Sequence, residues 1–292
     1  MILRTRHKIA LAKALRLPIV SLSRALRKGT VQTVTRGGIV WSLDLDEGID
    51  LAVYIFGRFE PATSRVLERL VSPGDVVLDI GANIGAHTLP LARRVGSEGR
   101  VFAFEPTRFA HAKLECNLKL NPQLASRVRV EQMFLTDGSA ASVPEAVYSS
   151  WPLSRSNNRH EKHGGVAKDT SGATAKKLDD YVVEHAIEQV RLIKLDVDGH
   201  ECQVLRGAQN ILKTHRPVIV MELAPYTLGE AGESLEELLG ILTEADYSLY
   251  AETSQAVLPM DVDRLGAMVV DGGSMNVIAK PGAANLRGDK SY

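Results

Sequence analysis

The sequence predicts an α/β protein built on a doubly wound, mostly parallel sheet. Short apolar runs typical of buried strands alternate with segments of helical periodicity, and the first of these runs ends in a carboxylate and a glycine turn. Strands that are buried on both faces read as continuous apolar runs, and their connection through helices produces a parallel sheet. The chain has 292 residues, of which 45% are hydrophobic and 24% charged, so it is long enough for one large domain.

The individual elements follow from local patterns along the chain. Apolar runs predict buried strands, whereas apolar residues recurring every three or four positions predict helices. Strands are expected at 75–80, 101–104, 128–133, 191–196 and 218–222, and helices at 62–72, 86–95, 108–120, 200–212 and 234–245. Two closing strands, at 247–250 and 274–278, are expected to form an antiparallel hairpin at the sheet edge.

The chain divides into three parts by composition. Residues 1–60 are expected to form an N-terminal helical and hairpin appendage, with a glycine pair at 37–38 as the hairpin turn. Residues 61–282 are expected to form the main domain, and residues 283–292 a tail. Within the main domain, residues 135–177 lack periodicity and are predicted to be a long loop, of the kind that is either functional or disordered.

Charge, hydropathy and cysteine content limit the partners. Lys and Arg number 35, as do Asp and Glu, so the formal net charge is zero and no nucleic-acid partner is expected. The sequence has no apolar stretch of about 18 residues, so no membrane span is predicted. Cys116 and Cys202 are predicted to be buried thiols in a reducing compartment, which favours the cytoplasm.

The first 30 residues contain eight Lys and Arg and no Asp or Glu, interleaved with apolar residues. The pattern allows two interpretations. One is a helix that packs its apolar side chains on the main domain. The other is a surface at residues 1–28 that makes weak contact with anionic lipid or with an anionic substrate.

A glycine turn follows the first predicted strand, which ends in Asp79. Ligands of doubly wound sheets bind at the carboxyl ends of the strands, so this turn is a candidate cofactor loop. A dinucleotide pyrophosphate would be repelled by Asp79, whereas a cationic amino-acid group would not. Glu105 ends the second predicted strand, in the position from which an acid accepts hydrogen bonds from ribose hydroxyls.

Two stretches, residues 77–88 and 101–106, resemble class I S-adenosylmethionine-dependent methyltransferases. The resemblance implies S-adenosyl-L-methionine as cofactor. It further implies that the glycine loop holds the methionine part, that Glu105 holds the ribose and that Asp137 holds the adenine amino group. The expected cofactor-binding residues are Asp79, Gly81, Asn83, Gly85, Glu105 and Asp137.

A further stretch, residues 192–208, is similar to the signature of the FkbM family of methyltransferases, and residues 178–181 and 217–222 are similar as well. The resemblance extends over roughly residues 60–222. It implies O-methylation of a hydroxyl on a sugar, a glycan or a polyketide-like natural product. The family more often has Glu where this chain has Asp198, so a role that needs the longer side chain is in doubt.

An acidic cluster follows the fourth predicted strand. Methyl transfer is an in-line displacement that depends on alignment, and an alcohol needs a base or a metal to take its proton. Asp196, His200 and Glu201 are therefore the catalytic candidates, and His200 is the group best tuned to act as a base near neutral pH. The alternatives are that His200 only starts a helix and that Asp198 only shapes a turn.

Other side chains offer alternatives to this assignment. The alternative to a metal-free active site is a divalent cation bound by Asp196, Asp198 and Glu222, because such cations bind carboxylate oxygens. His160 and His163 are predicted to be solvated loop residues rather than zinc ligands. Trp151 offers an aromatic face for a sugar ring or, alternatively, packs within the loop.

Two other functional classes are compatible with the predicted fold. A nicotinamide-dependent oxidoreductase is disfavoured by Asp79 and by the missing middle glycine of the dinucleotide fingerprint. A non-catalytic adaptor that binds the cofactor or a membrane is disfavoured by the complete glycine loop and the acidic cluster. The favoured function is that of an O-methyltransferase.

Overall fold

The computed structural model describes residues 14, 16–18, 20–21, 29–139, 143–153, 159–162, 164–270 and 272–282. Most of the basic segment 1–28, the tail 283–292 and His163 lie outside the described residues. No helix in these described ranges has the length and apolar character needed to cross a bilayer.

Strands and helices alternate through most of the chain. The strands are β1 (Val31–Arg36), β2 (Ile39–Asp44), β3 (Val76–Ile80), β4 (Arg100–Phe104), β5 (Val128–Glu131), β6 (Met133–Leu135), β7 (Ala146–Ser150), β8 (Val166–Asp169), β9 (Thr174–Lys176), β10 (Leu192–Leu195), β11 (Val218–Leu223), β12 (Tyr247–Ala251) and β13 (Met275–Pro281). The helices are α1 (Gly48–Phe56), α2 (Pro61–Leu70), α3 (Thr88–Arg94), α4 (Arg108–Lys119), α5 (Pro122–Ala125), α6 (Leu178–Glu184), α7 (Glu201–Arg206), α8 (Gln209–Thr214), α9 (Pro225–Glu230), α10 (Leu235–Glu244) and α11 (Val262–Gly266).

A seven-stranded sheet forms the centre of the fold, in the order β12-β13-β11-β10-β3-β4-β5. β3 pairs in parallel with β4 and with β10, whereas β13 pairs antiparallel with β11 and β12. Successive side chains of a strand point to opposite faces, so Val77 and Leu78 enter two different apolar cores. The predicted doubly wound sheet and its antiparallel edge pair are confirmed.

The β1–β2 hairpin packs against the main domain. Its buried side chains, Trp41 among them, join the core on the α4 side of the sheet. Two amide side chains near the end of α4 bind the backbone of β2: Val40 N–H donates to Asn121 Oδ1 at 3.0 Å and Ser42 N–H donates to Asn117 Oδ1 at 2.9 Å. These bonds occupy backbone donors that an edge strand would otherwise leave unpaired.

The described part of the basic segment also contacts the domain. Arg16 Nε donates to Asp46 Oδ1 at 2.7 Å. Val20 is only 4% exposed and packs with Leu45, Leu51 and Leu153. At these positions the segment packs against the domain, as the first of the two interpretations expects.

Two predicted elements are divided in the structure. The helix expected at 200–212 consists of α7 and α8, which break at Gly207. A Cβ at Gly207 would lie 2.2 Å from Thr136 O, so the chain approaches this carbonyl too closely for a side chain. The strand expected at 128–133 ends at Glu131, and Met133 begins β6, which pairs with β9 outside the main sheet.

The prediction of a long loop at 135–177 is wrong for much of its length. β7 and β8 form an antiparallel hairpin there, and β9 pairs in parallel with β6. Each of these strands is too short to produce a clear alternation in the sequence, and their pairing depends on residues distant along the chain. We call residues 136–173 the insertion.

One of the two predicted buried thiols is exposed. Cys202 is buried, whereas Cys116 is exposed on α4. Leu114 and Leu118 form the buried face of that helix, so Cys116 lies on its solvent side. The prediction is wrong for Cys116, because its position on the helix turns the side chain away from the buried face.

Candidate active site

A cavity of about 830 Å³ opens at the carboxyl ends of the parallel strands. Its volume lies within the range of pockets that bind small molecules and cofactors. Five of the predicted site residues line it: Gly81, Asn83, Glu105, Asp196 and His200. Asp79, Gly85, Asp137 and Glu201 are not among its described lining residues.

The loop after β3 brings the backbone close to β10. Gly81 has a φ of +76°, and a Cβ there would lie 1.8 Å from Asp196 O. Only glycine fits this approach. Asn83 is also left-handed, with a φ of 48°, and its side-chain Nδ2 donates to Ser149 O at 3.1 Å. The loop therefore connects β3, β10 and the insertion.

Glu105 lies at the end of β4 with its carboxylate fixed on the cavity wall. Its Oε2 accepts a hydrogen bond from Asn83 N–H at 3.0 Å, and its Oε1 accepts from Thr107 N–H at 3.0 Å and from Thr107 Oγ at 2.6 Å. Burial raises the pKa of Glu105, and the hydrogen bonds from Thr107 and Asn83 work in the opposite direction. The side chain is thus held in a single orientation.

Asp79 is fully buried behind the loop. Its Oδ2 accepts a hydrogen bond from Thr88 Oγ1 at 2.6 Å, and its Oδ1 lies 3.7 Å from Lys194 Nζ. Burial raises the pKa of Asp79, while the charge of Lys194 lowers it. Asp79 therefore binds groups of the protein itself, and direct contact with a cofactor stays a prediction.

Lys194 is a site residue to which the sequence analysis gave no role. Its Nζ donates to Gly81 O at 2.8 Å and lies 3.3 Å from Asp196 Oδ2. Burial works to lower the pKa of Lys194, but the charges of Asp196 and Asp79 outweigh it and raise the pKa. The sequence did contain a signal for Lys194: it is a single cation in an otherwise apolar buried strand, and a buried charge needs partners.

The acids that follow β10 and the acid near the end of β11 repel one another. Burial, followed by the charges of Asp196 and Glu222, raises the pKa of Asp198. Burial and the charge of Asp196 raise the pKa of Glu222 to about 8. Both side chains line the cavity, and a cationic ligand bound beside them would favour their ionised form.

Glu201 stabilises the turn that contains Asp198. Its Oε1 accepts hydrogen bonds from Val197 N–H at 3.2 Å and from Gly199 N–H at 3.4 Å. Burial raises the pKa of Glu201 to about 7. The carboxylate faces its own turn, and its predicted catalytic role stays untested.

His200 precedes α7 and lies on the cavity wall. Its ring packs edge-on against Phe134, with centroids 5.1 Å apart. Burial lowers the pKa of His200, and the charge of Glu233 only partly opposes this shift. The imidazole is therefore neutral at pH 7, which is the form that accepts a proton.

Asp137 binds a cation outside the cavity. Its Oδ2 accepts a hydrogen bond from Arg206 Nε at 2.8 Å, and its Oδ1 accepts from Ser139 N–H at 2.8 Å. Burial works to raise the pKa of Asp137, but the hydrogen bonds from Ser139 and Arg206 lower it to about 2. The contact of Asp137 with the adenine amino group stays a prediction.

The side chains considered as metal ligands have other contacts. Within the described residues, no group of three or more His, Cys, Asp or Glu is arranged to hold a metal ion, so the cation alternative gains no support. The prediction that His160 is solvated is wrong: its side chain is 16% exposed, and its Nε2 lies 3.1 Å from Glu230 Oε2.

The insertion supplies an aromatic part of the cavity wall, in which Tyr148 and Trp151 take part. Trp151 N–H donates to Glu47 Oε2 at 3.1 Å, and Ser150 Oγ donates to the same atom at 3.0 Å. Glu47 precedes α1, so this wall is attached to the N-terminal part of the fold.

Residues 79–249 match the family model described as the methyltransferase FkbM domain. The chain belongs to the FkbM methyltransferase family. Membership removes the oxidoreductase and the non-catalytic adaptor from the alternatives, and the protein is a methyltransferase. The matched range starts at Asp79 and contains the glycine loop, Glu105 and the acidic cluster after β10.

Curated relatives are a little over one quarter identical to this FkbM-family chain over the stretches that align. The hexuronic acid methyltransferase AglP of Haloferax volcanii is 28% identical over 65% of this chain and 71% of its own length. The 2-O-methyltransferase NoeI of Sinorhizobium fredii is 27% identical over 61% of this chain and 75% of its own. A solved O-methyltransferase of Thermotoga maritima is 17% identical with a TM-score of 0.41, covering 92% of this chain and 83% of its own.

Proposed function

We propose that this FkbM-family enzyme transfers a methyl group from S-adenosyl-L-methionine to a hydroxyl of a sugar, a glycan or a polyketide-like natural product. One observation carries the proposal: a single cavity joins the glycine loop and Glu105 to Asp196 and His200. The names of two relatives, a hexuronic acid methyltransferase and a 2-O-methyltransferase, support a sugar hydroxyl as acceptor.

The residues present fit this cofactor. Gly81 leaves no room for a side chain between β3 and β10, so the backbone itself forms the floor of the cavity. Glu105 presents a fixed carboxylate, which accepts hydrogen bonds from hydroxyl groups such as those of a ribose. The acidic groups of the wall suit a ligand that carries a sulfonium and an ammonium, because positive charge beside a carboxyl group stabilises its ionised form.

The bound cofactor supplies a methyl group activated by its positive sulfur. The protein's part is to orient the acceptor and to receive its proton. In-line displacement depends strongly on alignment, so rigid loops raise the rate. Lys194 and Glu201 fix the loops on either side of Asp196 and act as positioning residues.

His200 is the proposed general base, and Asp196 orients the acceptor hydroxyl. Because burial lowers its pKa, His200 is neutral at pH 7 and ready to accept the hydroxyl proton. Asp196 Oδ2 is held by Lys194 at 3.3 Å, and its carboxylate can accept a hydrogen bond from the hydroxyl. The proton transferred to His200 then passes to solvent.

Aromatic side chains form the proposed acceptor wall. Tyr148, Trp151 and Tyr226 line the cavity together with the catalytic candidates. Sugar rings present apolar C–H faces that pack on aromatic rings, while their hydroxyls bind the polar groups between them. The predicted role of Trp151 at a sugar ring is part of this proposal.

The proposed setting is the cytoplasm, and no nucleic-acid partner is proposed. Cys116 and Cys202 are free thiols, as is usual in a reducing compartment. The formal net charge of zero gives no general attraction for a polyanion.

The test is transfer of a radiolabelled methyl group from S-adenosyl-L-methionine to panels of sugars, lipid-linked glycans and polyketide hydroxyls. Wild-type protein should label a hydroxylated acceptor, and S-adenosylhomocysteine should raise its melting temperature by ligand linkage. The variant Glu105→Gln should lose most of that shift. Absence of any stabilisation by S-adenosylhomocysteine in the wild-type protein would contradict the cofactor assignment.

A further inference from the structure

A second polar group lies beside the glycine loop, outside the residues predicted for the cofactor. It consists of Glu60, Thr63, His87 and Asn276, which all line the cavity. We call these four residues the amino-end cluster. They come from α2, from the chain just before α3 and from β13, so only the tertiary fold brings them together.

His87 has a buried nitrogen that faces this cluster without a hydrogen-bond partner. The residue is 5% exposed, and its Nε2 is without a hydrogen bond although it is buried. Burial, followed by the charge of Lys194, lowers the pKa of His87 to about 3, so the ring is neutral. Buried polar atoms in native proteins are nearly always bonded to protein or to water, so an unbonded one on a cavity wall is available to a ligand that enters the cavity.

Glu60 is positioned as the charged member of the cluster. Its Oε2 accepts hydrogen bonds from Asn276 Nδ2 at 3.2 Å and from Thr63 Oγ1 at 3.4 Å, and it lies 4.0 Å from His87 Nε2. The residue has a φ of 41°, an unfavourable backbone conformation of the kind that often accompanies a functional side chain.

The separation of Glu60 Oε2 and His87 Nε2 suits one tetrahedral ammonium. Two acceptors that each receive a hydrogen bond of about 2.9 Å from one nitrogen lie roughly 4–5 Å apart. A neutral imidazole nitrogen accepts such a bond, and a carboxylate oxygen adds the opposite charge. A hydroxyl group has a single proton and cannot donate to both.

We infer that Glu60 and His87, rather than Asp79, bind the ammonium of the cofactor's amino-acid end. The inference rests on the proposed cofactor. Asp79 Oδ1 is also buried without a hydrogen bond, but it lies 3.7 Å from the ammonium of Lys194 and is not among the described lining residues, whereas Glu60 and His87 line the cavity. Thr63 and Asn276 hold the Glu60 carboxylate in place.

Calorimetric titration with two ligands tests this inference without any acceptor. S-adenosylhomocysteine carries the ammonium, whereas 5′-methylthioadenosine has the same adenosine and sulfur but lacks the whole amino-acid end, its ammonium and carboxylate included. Glu60→Gln should weaken binding of S-adenosylhomocysteine at least tenfold and that of methylthioadenosine less than twofold. His87→Phe, which keeps the ring beside Phe59, should weaken the first ligand at least threefold and leave the second unchanged.

Glu68→Gln is the matched control, because Glu68 lies on α2, the helix that Glu60 precedes, forms an ion pair with Arg58 and is not among the described lining residues of the cavity. It should bind both ligands as the wild-type protein does. Equal losses for both ligands in Glu60→Gln, or unchanged binding of S-adenosylhomocysteine, would overturn the inference. If wild-type protein bound neither ligand, the proposed cofactor would itself be wrong, a result distinct from selective failure of the variants.

Discussion

The ammonium of Lys194 lies 3.3 Å from Asp196 Oδ2 and links the end of β10 to the glycine loop. The same nitrogen lies 3.7 Å from Asp79 Oδ1, so one buried cation serves two carboxylates on neighbouring strands. Breaking a buried ion pair leaves an uncompensated charge, which costs more than the pair contributes. Lys194 thus connects the stability of the sheet to the geometry of the site.

The variant Lys194→Met should lower the free energy of unfolding by about 3 kcal/mol at pH 8. The loss should be smaller at pH 5. Without Lys194 the folded-state pKa of Asp79 rises further above its unfolded value, so protonation at low pH relieves the unpaired charge. Urea unfolding at both pH values measures the difference. The double variant Asp79→Asn, Lys194→Met should recover part of the loss; a strictly additive double variant would show that the pair is not coupled.

The variant Glu222→Gln should become more stable relative to the wild-type protein as the pH rises from 5 to 8. Burial and Asp196 raise the folded-state pKa of Glu222 to about 8, so the folded state holds a proton that the unfolded state loses above its ordinary value of 4.5. Wild-type stability therefore falls across this window, by more than about 1 kcal/mol from this group. Glu236→Gln, at an exposed position of α10, should show no such trend in the same unfolding series.

The variants Asp196→Asn and His200→Ala should fold and bind S-adenosylhomocysteine with affinities within twofold of wild type. Their kcat should fall at least about 100-fold, the usual contribution of a positioned base. The wild-type rate should be flat above about pH 6.5 and fall below it, because burial lowers the pKa of His200 and only the neutral ring acts as base. His111→Ala, outside the cavity lining, serves as control. An unchanged pH–rate profile in His200→Ala would remove it as the base.

The variant Val20→Ala should lower the free energy of unfolding by about 1–2 kcal/mol, because Val20 is 4% exposed in an apolar cluster. Leu17→Ala, at a position 62% exposed, should change it by less than about 0.5 kcal/mol. Urea unfolding of both variants gives the comparison.

The same reasoning predicts the behaviour of the whole basic segment. Deleting residues 1–28 should lower the melting temperature, and the full chain should not sediment with anionic vesicles at 0.1 M salt, where exposed charges are screened beyond about 10 Å. Vesicle binding that the deletion abolishes, with an unchanged melting temperature, would instead support the lipid contact.

The parallel sheet could be predicted because its signals are local. β3 and β4 are continuous apolar runs that end in Asp79 and Glu105, and a glycine turn follows the first of them directly. The carboxyl ends of neighbouring parallel strands meet at one edge, so Asp196 and His200 could be placed near the same cavity. These inferences need only the order of residues along the chain.

The rest of the site depends on packing between distant segments. Glu60 and Asn276 are 216 positions apart along the chain, so no spacing in the sequence indicates their hydrogen bond. The break between α7 and α8 arises where Gly207 meets Thr136 O, a contact invisible to helical periodicity. Asp79 could be identified as important, but its burial behind the loop follows from Thr88 and Lys194 around it.

The insertion has a consequence for how acceptor preference could diversify. It leaves the fold at β6 and returns at β9, and these strands pair with Met133 opposite Thr174. The chain leaves at the carboxyl end of β6 and returns at the amino end of β9, so its departure and return points are one short strand length apart, outside the seven-stranded sheet. Lengthening or replacing it would add only a small closure entropy and would leave the register of the main sheet intact. Exchange of the part of this segment that carries Trp151 is therefore an economical evolutionary route to new acceptors, provided that Asp137 and the contacts of Ser149 with Asn83 and Glu105 are kept.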